Sequence, residues 1–276
     1  MKKARVLYVS QEIYPYMGEN TMSNVTRYLP QGIQERGKEI RTFMPRYGSI
    51  NEIRHGLHEV IRLSGINLII DNDDHPLIIK VASIQRARMQ VYFIDNEDYF
   101  QRKATFADEQ GRLFEDNDER AIFFCRGVIE TVRKLSWSPD IIHCNGWISS
   151  LFPMYIKTAC KEDPLFENSK VIYSIYGDKF EGSLNKRFAA KALWDGVGEE
   201  DLSLVSKAPT YNNLTKLAVK WSDAVIKVDA DTDPEISKHI KKSGKPVLKH
   251  TEENYLDAYS DFYDEVLEMD EVLVDE

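Results

Sequence analysis

Arg5-Val-Leu-Tyr-Val-Ser-Gln-Glu-Ile-Tyr-Pro-Tyr-Met-Gly-Glu-Asn-Thr-Met-Ser-Asn-Val25 decides the fold of this chain. A run of Val, Leu and Tyr passes into a turn bearing Pro15 and Gly18 and then into a helix start at Thr21. Strand, loop and capped helix in that order form the opening unit of a doubly wound sheet, where ligands collect beyond the carboxyl ends of the strands. What this turn can hold therefore bears on function.

Similar apolar runs recur outward from it: Ile40–Met44, Leu68–Ile70, Leu77–Val81, Val91–Ile94, Asp140–Cys144, Val171–Ile175, Ala224–Val228 and Pro246–Leu248. They are continuous rather than alternating, as strands buried on both faces of a parallel sheet are. Helical patterns separate them at Thr21–Glu35, Asp118–Lys134, Ser149–Cys160, Leu214–Trp221 and Pro234–Lys242. Alternating strands and helices predict right-handed βαβ crossovers and an α/β, doubly wound, Rossmann-like, mostly parallel sheet.

Two departures from the rhythm are expected. Within Glu59–Ile84, the strand-like runs flank Asp71-Asn-Asp-Asp-His-Pro76, a turn signal, which predicts a β-hairpin inserted at the sheet edge. Near the end, Tyr255, Leu256, Tyr259, Phe262, Tyr263, Val266 and Leu267 fall at helical spacing with acids between them, predicting a docked amphipathic helix. The expected organisation is one domain over residues 1–250, followed by an acidic helix and tail over 251–276. That helix either simply covers the domain's own core, or its acidic face or the Glu268–Glu276 tail meets a partner, and Lys238, Lys241, Lys242, Lys245 and Lys249 stand just upstream to satisfy some of the charge.

The net charge of −9 over 276 residues is concentrated rather than global: from Thr251 onward there are eleven Asp and Glu and no Lys or Arg. A body near neutrality with an acidic end disfavours nucleic acid as a partner, because phosphate contact needs a basic face. Cys125, Cys144 and Cys160 lack the paired spacing of a zinc site or disulfide framework and read as buried thiols, so no metal is expected. The apolar run after Met1-Lys-Lys3 is too short for a signal peptide, and no stretch approaches a membrane span. A soluble cytoplasmic protein is expected, without a membrane partner and without a cofactor. No P-loop, GxGxxG or GxSxG pattern is present.

Several segments together resemble the amino-terminal domain of bacterial glycogen and starch synthases. They are Ser10-Gln-Glu-Ile-Tyr-Pro-Tyr16, Val91 to Arg102, Asp116 to Phe124, Pro139-Asp-Ile-Ile-His-Cys-Asn-Gly-Trp147, which parallels PDxxHAHDW, and Asn213 to Val228 with Glu235 and Ile236 after it. The resemblance spans about the first 240 residues and implies glucosyl transfer from ADP-glucose or UDP-glucose to an α-1,4-glucan in a cleft between two Rossmann-like domains.

The departures from the family pattern carry as much information. Where the family has KTGGLADV, this chain has Gly18-Glu-Asn-Thr-Met-Ser-Asn-Val25, without the phosphate-facing Lys or the loop glycines that let amides approach a diphosphate. Glu19 adds a like charge, costing about 3 kcal/mol at roughly 5 Å and an effective dielectric near 20. His143 is kept, either to orient a sugar hydroxyl or as a structural residue, while Asn145 and Gly146 replace the following His and Asp. In Ser174-Ile-Tyr-Gly-Asp-Lys-Phe-Glu-Gly182, Tyr176 stands where the family has a histidine near the transferred glucose, and Asp178 supplies a carboxylate.

The basic residues that surround the departing nucleotide belong, by the resemblance, to a second domain of about 100 to 150 residues, for which the sequence after the last matched strand leaves no room. The expected cleft residues are Tyr16, Gly18, Glu19, Asn20, His143, Asn145, Trp147, Tyr176 and Asp178, with no catalytic group assigned. The expected ligands are an α-glucan or a sugar nucleotide. Glucosyl transfer would then need a partner protein to supply the donor-binding half; the competing reading is a non-catalytic α-glucan-binding or regulatory subunit.

Overall fold

The computed structural model describes residues 3–269. Its strands are β1 (Arg5–Ser10), β2 (Glu39–Pro45), β3 (His58–Glu59), β4 (Ile66–Ile70), β5 (Asp73–Ile84), β6 (Met89–Asp95), β7 (Ile141–Asn145), β8 (Lys170–Ile175), β9 (Ala224–Lys227) and β10 (Val247–Lys249). The helices are α1 (Thr21–Glu35), α2 (Glu52–His55), α3 (Glu97–Phe100), α4 (Asn117–Leu135), α5 (Phe152–Lys157), α6 (Phe188–Ala192), α7 (Tyr211–Trp221), α8 (Pro234–Ser243) and α9 (Tyr255–Glu268).

The strands join in the order β10-β9-β8-β7-β1-β2-β6-β5-β3, with β4 also on β5. From β10 to β6 all pairings are parallel, and β5 alone turns the edge antiparallel. The mostly parallel, Rossmann-like α/β sheet read from the sequence is therefore the fold. Strand order reverses between β1 and β7, which opens the ligand-binding crevice beyond Ser10 and Asn145.

β1 explains why its run is apolar throughout. Leu7 and Val9 join the core on the α4 side, while Val6 and Tyr8 join a second core with Met22, Val25, Leu29 and Ile33 of α1. Successive side chains point to opposite faces, so a central strand covered on both sides has no solvent-facing position.

The expected hairpin is present as β4 and β5, but its turn is shorter than Asp71 to Pro76. Only Asp71 and Asn72 take left-handed backbone, with φ of 51° and 71°, the geometry of a two-residue hairpin turn. Asp73 to Pro76 already pair with β4, in register with Ile70 to Asn67. The turn-rich composition there hides strand, and Pro76 is tolerated because it lies before the β5–β6 ladder, which starts at Ile78, with its carbonyl accepting from Asn96 Nδ2 at 2.9 Å.

α9 is the expected amphipathic helix. Tyr259, Phe262, Tyr263 and Val266 are buried against the α1 core, each gaining about 1.5–3 kcal/mol from burial. Its acids pair with Arg36 (Asp257, 2.6 Å) and Lys38 (Asp264, 2.9 Å), not with the upstream lysine cluster. Lys245 of that cluster instead donates to the carbonyls of Val219 and Lys220 at the end of α7, at 2.7 Å each, because terminal carbonyls attract cations. The acidic tail beyond Met269 lies outside the described residues. Cys125, Cys144 and Cys160 are buried and unpaired.

Candidate ligand cleft

A cavity of about 330 Å³ opens beyond the carboxyl ends of β1, β8 and β9. Glu12, Asn20, Thr21, Tyr176, Asp178 and Asp229 contribute to its lining. Each reaches it from the loop that follows a parallel strand, or from the start of α1, so the sheet order itself assembles the site.

The amino terminus of α1 is satisfied from within the chain. The Asn20 side chain accepts from the Ser23 N–H at 2.8 Å, and the Ser23 hydroxyl accepts from the Asn20 N–H at 2.9 Å, a reciprocal capping box. Asn20 Nδ2 also donates to Glu12 Oε2 at 2.6 Å, and the Thr26 hydroxyl donates to the Glu12 carbonyl at 2.5 Å. A carboxylate thus stands in front of the helix end that would otherwise attract a diphosphate.

Asp178 is partly buried. Its Oδ2 accepts the Trp147 N–H at 3.0 Å and its Oδ1 the Tyr211 hydroxyl at 3.1 Å. Burial pushes its carboxyl up to about 6, those two donors pulling the other way and Glu12 adding to the rise. Asp229 is held by the Gly177 N–H, and a side chain on Gly177 would meet the Asp229 carboxylate at 2.5 Å. The Tyr176 hydroxyl donates to Asn145 Oδ1 at 2.9 Å, which fixes its ring at the cavity wall. Three carboxylates and no cation line the cavity among the described residues. Such a wall accepts hydrogen bonds from hydroxyl groups and repels anions.

Of the residues singled out by sequence, Asn20, Tyr176 and Asp178 are brought together at the cavity. Asn145 and Trp147 sit directly behind it. Trp147 is 2% exposed and packs between Phe106 (4.8 Å) and Phe180 (5.1 Å), so it offers its backbone N–H to Asp178 and no ring face to a ligand. Tyr16 is buried against Phe93 and His55, away from the lining. Glu19 is exposed on the outer side of the α1 start, and Gly18 has open space where a side chain would project. His143 is fully buried, with Nδ1 2.6 Å from the Tyr263 hydroxyl and Nε2 2.6 Å from the Ser174 hydroxyl. Burial lowers its pKa to about 3, so the imidazole is neutral and ties β7 to β8 and α9.

Glu12 and Asp229 were not among the residues picked out by sequence. Each follows the carboxyl end of a strand, by two residues after β1 and after β9 respectively, and that position was the available signal. Gly146, where the family pattern has Asp, takes φ of 86° against Gln11, a backbone that only glycine adopts readily.

Comparison with known proteins places this geometry. A family model for the starch synthase catalytic domain matches residues 5–250. Glycogen synthase of Chlorobium limicola is 33% identical over 236 residues, covering 83% of this chain and 48% of that protein. Glycogen synthase of Chlorobaculum parvum is 33% identical over 241 residues, covering 86% and 47%. The chain thus spans about half the length of the curated relatives it matches. In fold, the catalytic domain of starch synthase IV from Arabidopsis thaliana, bound to ADP and acarbose, superposes with a TM-score of 0.76 at 15% identity, over 94% of this chain and 53% of that one. No helix among the described residues is long and apolar enough to cross a membrane. With its sequence match running from the first strand to the last and its sheet built on the same plan, the chain belongs to the starch synthase catalytic-domain family.

Proposed function

We propose that this chain supplies the glucan side of a glucosyl-transfer site, in which glucose passes from ADP-glucose or UDP-glucose to the end of an α-1,4-glucan. Family membership supports the reaction class. The division of labour rests on one observation: Glu12 and Asn20 already occupy the approach to the α1 amino terminus, 2.6 Å apart. A diphosphate brought there would displace that contact and meet three carboxylates. A neutral sugar meets acceptors for its hydroxyls.

The nucleotide's phosphates are then held by groups outside this cavity, provided by a donor-binding unit on a partner chain. In this reading the reaction runs in the cytoplasm. The candidate cleft residues keep distinct parts in this reading: Asp178 and Asp229 meet the sugar, Tyr176 stands at the cavity wall, and Asn145 and Trp147 position them.

Calorimetry of the purified chain with maltooligosaccharides and with ADP-glucose tests the assignment. Heat from the oligosaccharide and little from the nucleotide is expected, together with glucose incorporation into glycogen only when a donor-binding partner is added. Tight ADP-glucose binding without any oligosaccharide binding would overturn it. Oligosaccharide binding with no incorporation under any pairing would leave a glucan-binding subunit in its place.

A further inference from the structure

The segment that closes the chain builds a second cavity beside the first. It measures about 370 Å³ and shares Asn20 and Thr21 with the glucan cavity as a common wall. Tyr28 projects from α1 with 46% of its surface exposed, and Tyr255 opens α9 on the other side. The Tyr255 ring rests on His250 and Tyr259, at centroid distances of 5.3 Å and 6.0 Å, which restrains its tilt.

Glu19, Asn24 and Glu252 bring polar groups to the same cavity, and no Lys or Arg lines it among the described residues. The His250 Nδ1 lies 3.1 Å from the Tyr259 hydroxyl, and burial lowers the His250 pKa below its usual value, so the ring is neutral at pH 7. Two phenol faces with carboxylates and amides around them match the surface of a pyranose. The C–H face of the sugar lies on the electron-rich rings, and its hydroxyls donate to the acids. The Arg27 guanidinium lies 5.0 Å from the Tyr28 ring centroid, over one face of that ring, but it is buried, donates to Gln31 Oε1 and does not line the cavity. The family match ends at residue 250, so Glu252 and Tyr255 lie outside the matched region.

We propose that this second cavity is a further sugar subsite, in which Tyr28 and Tyr255 hold the next glucose units of an α-glucan whose end occupies the first cavity. The inference rests on the glucan reading above and assigns it a direction, from the carboxyl edge of the sheet outward along α1.

Calorimetry of the full chain with the series from maltose to maltoheptaose tests it. Affinity is expected to climb with length. Tyr28→Ala should weaken the longest member about tenfold while leaving maltose unchanged, equivalent to about 1.4 kcal/mol of stacking. Tyr28→Phe should retain the length effect, because the ring face remains. Tyr28 is exposed and its loss leaves the core intact; a thermal melt verifies the same for Tyr255→Ala, which should flatten the climb likewise.

Asp178→Asn should weaken every length. If it does so while Tyr28→Ala and Tyr255→Ala bind the whole series as the parent chain does, the subsite is overturned and the glucan assignment stands. Absence of heat with every oligosaccharide would overturn both.

Discussion

The Asn20 amide reaches from the first turn of α1 to the Glu12 carboxylate, closing a 2.6 Å contact across the mouth of the crevice between β1 and its neighbours. The same Asn20 side chain caps the helix through the Ser23 N–H. One residue therefore both ends the helix and seats a negative charge where an anion would otherwise sit.

Removing that charge should admit phosphates. In Glu12→Gln the amide can keep a contact with Asn20 while the repulsion falls. A unit charge at roughly 5 Å and an effective dielectric near 20 is worth up to about 3 kcal/mol, reduced by solvent at this partly exposed site. ADP affinity measured by calorimetry should rise by about tenfold. An unchanged or weaker affinity would show that Glu12 is not what keeps phosphates out.

Asp178 gives the fold a pH dependence of definite sign. Its carboxyl is raised to about 6 in the folded chain, so between its ordinary value and about 6 the native state binds more protons than the unfolded one. Stability from this group is therefore present at low pH and lost as pH rises through about 6. Asp178→Asn should lack this loss, and denaturant melts at about pH 5 and about pH 8 should show the variant gaining on the parent chain at the higher pH.

His143 runs the opposite way. With its pKa lowered to about 3 by burial, it is neutral when folded and protonates more readily when unfolded. Stability is complete above the unfolded value near 6.5 and declines as pH falls toward about 3. His143→Ala should cost about 2–4 kcal/mol, since it removes the imidazole partner of the buried Tyr263 and Ser174 hydroxyls and leaves a cavity. Maltooligosaccharide affinity, measured below the melting transition, should not change.

Two glycines beside the crevice should answer differently to alanine. Gly146→Ala places a side chain on backbone with φ of 86° and 2.6 Å from the Gln11 Cβ, and should destabilise by about 1–3 kcal/mol. Gly18→Ala meets open space and should stay within about 0.5 kcal/mol of the parent chain in thermal melts.

The sheet was legible because a strand covered on both faces leaves an unbroken apolar run, as Val6–Val9 and Val171–Ile175 do, and the helices between carry their own period. Asp73 to Pro76 escaped because turn-forming residues at a sheet edge look the same whether they bend or extend. In the site, Tyr176 and Asp178 stood just past a strand end and Asn20 at a helix start, in motifs of recognisable spacing. Glu12 and Asp229 lie 217 residues apart in the sequence yet line one cavity. Only the order of the strands brings them together, and no local pattern encodes that order. Trp147 shows the converse: it sits in a loop by sequence, but Phe106 and Phe180 close over it.

The central placement of β1 has a consequence for how the chain is made. Val6 finds one neighbour at Ile40 soon after emerging from a ribosome, but its other neighbour, Ile141, is 135 residues away from it in sequence. At about 5–20 residues per second, that edge of the strand waits roughly seven to thirty seconds for its mate. During synthesis, the Val-Leu-Tyr-Val segment, fully buried in the folded chain, stays exposed on one edge for that interval and is open to chaperone binding.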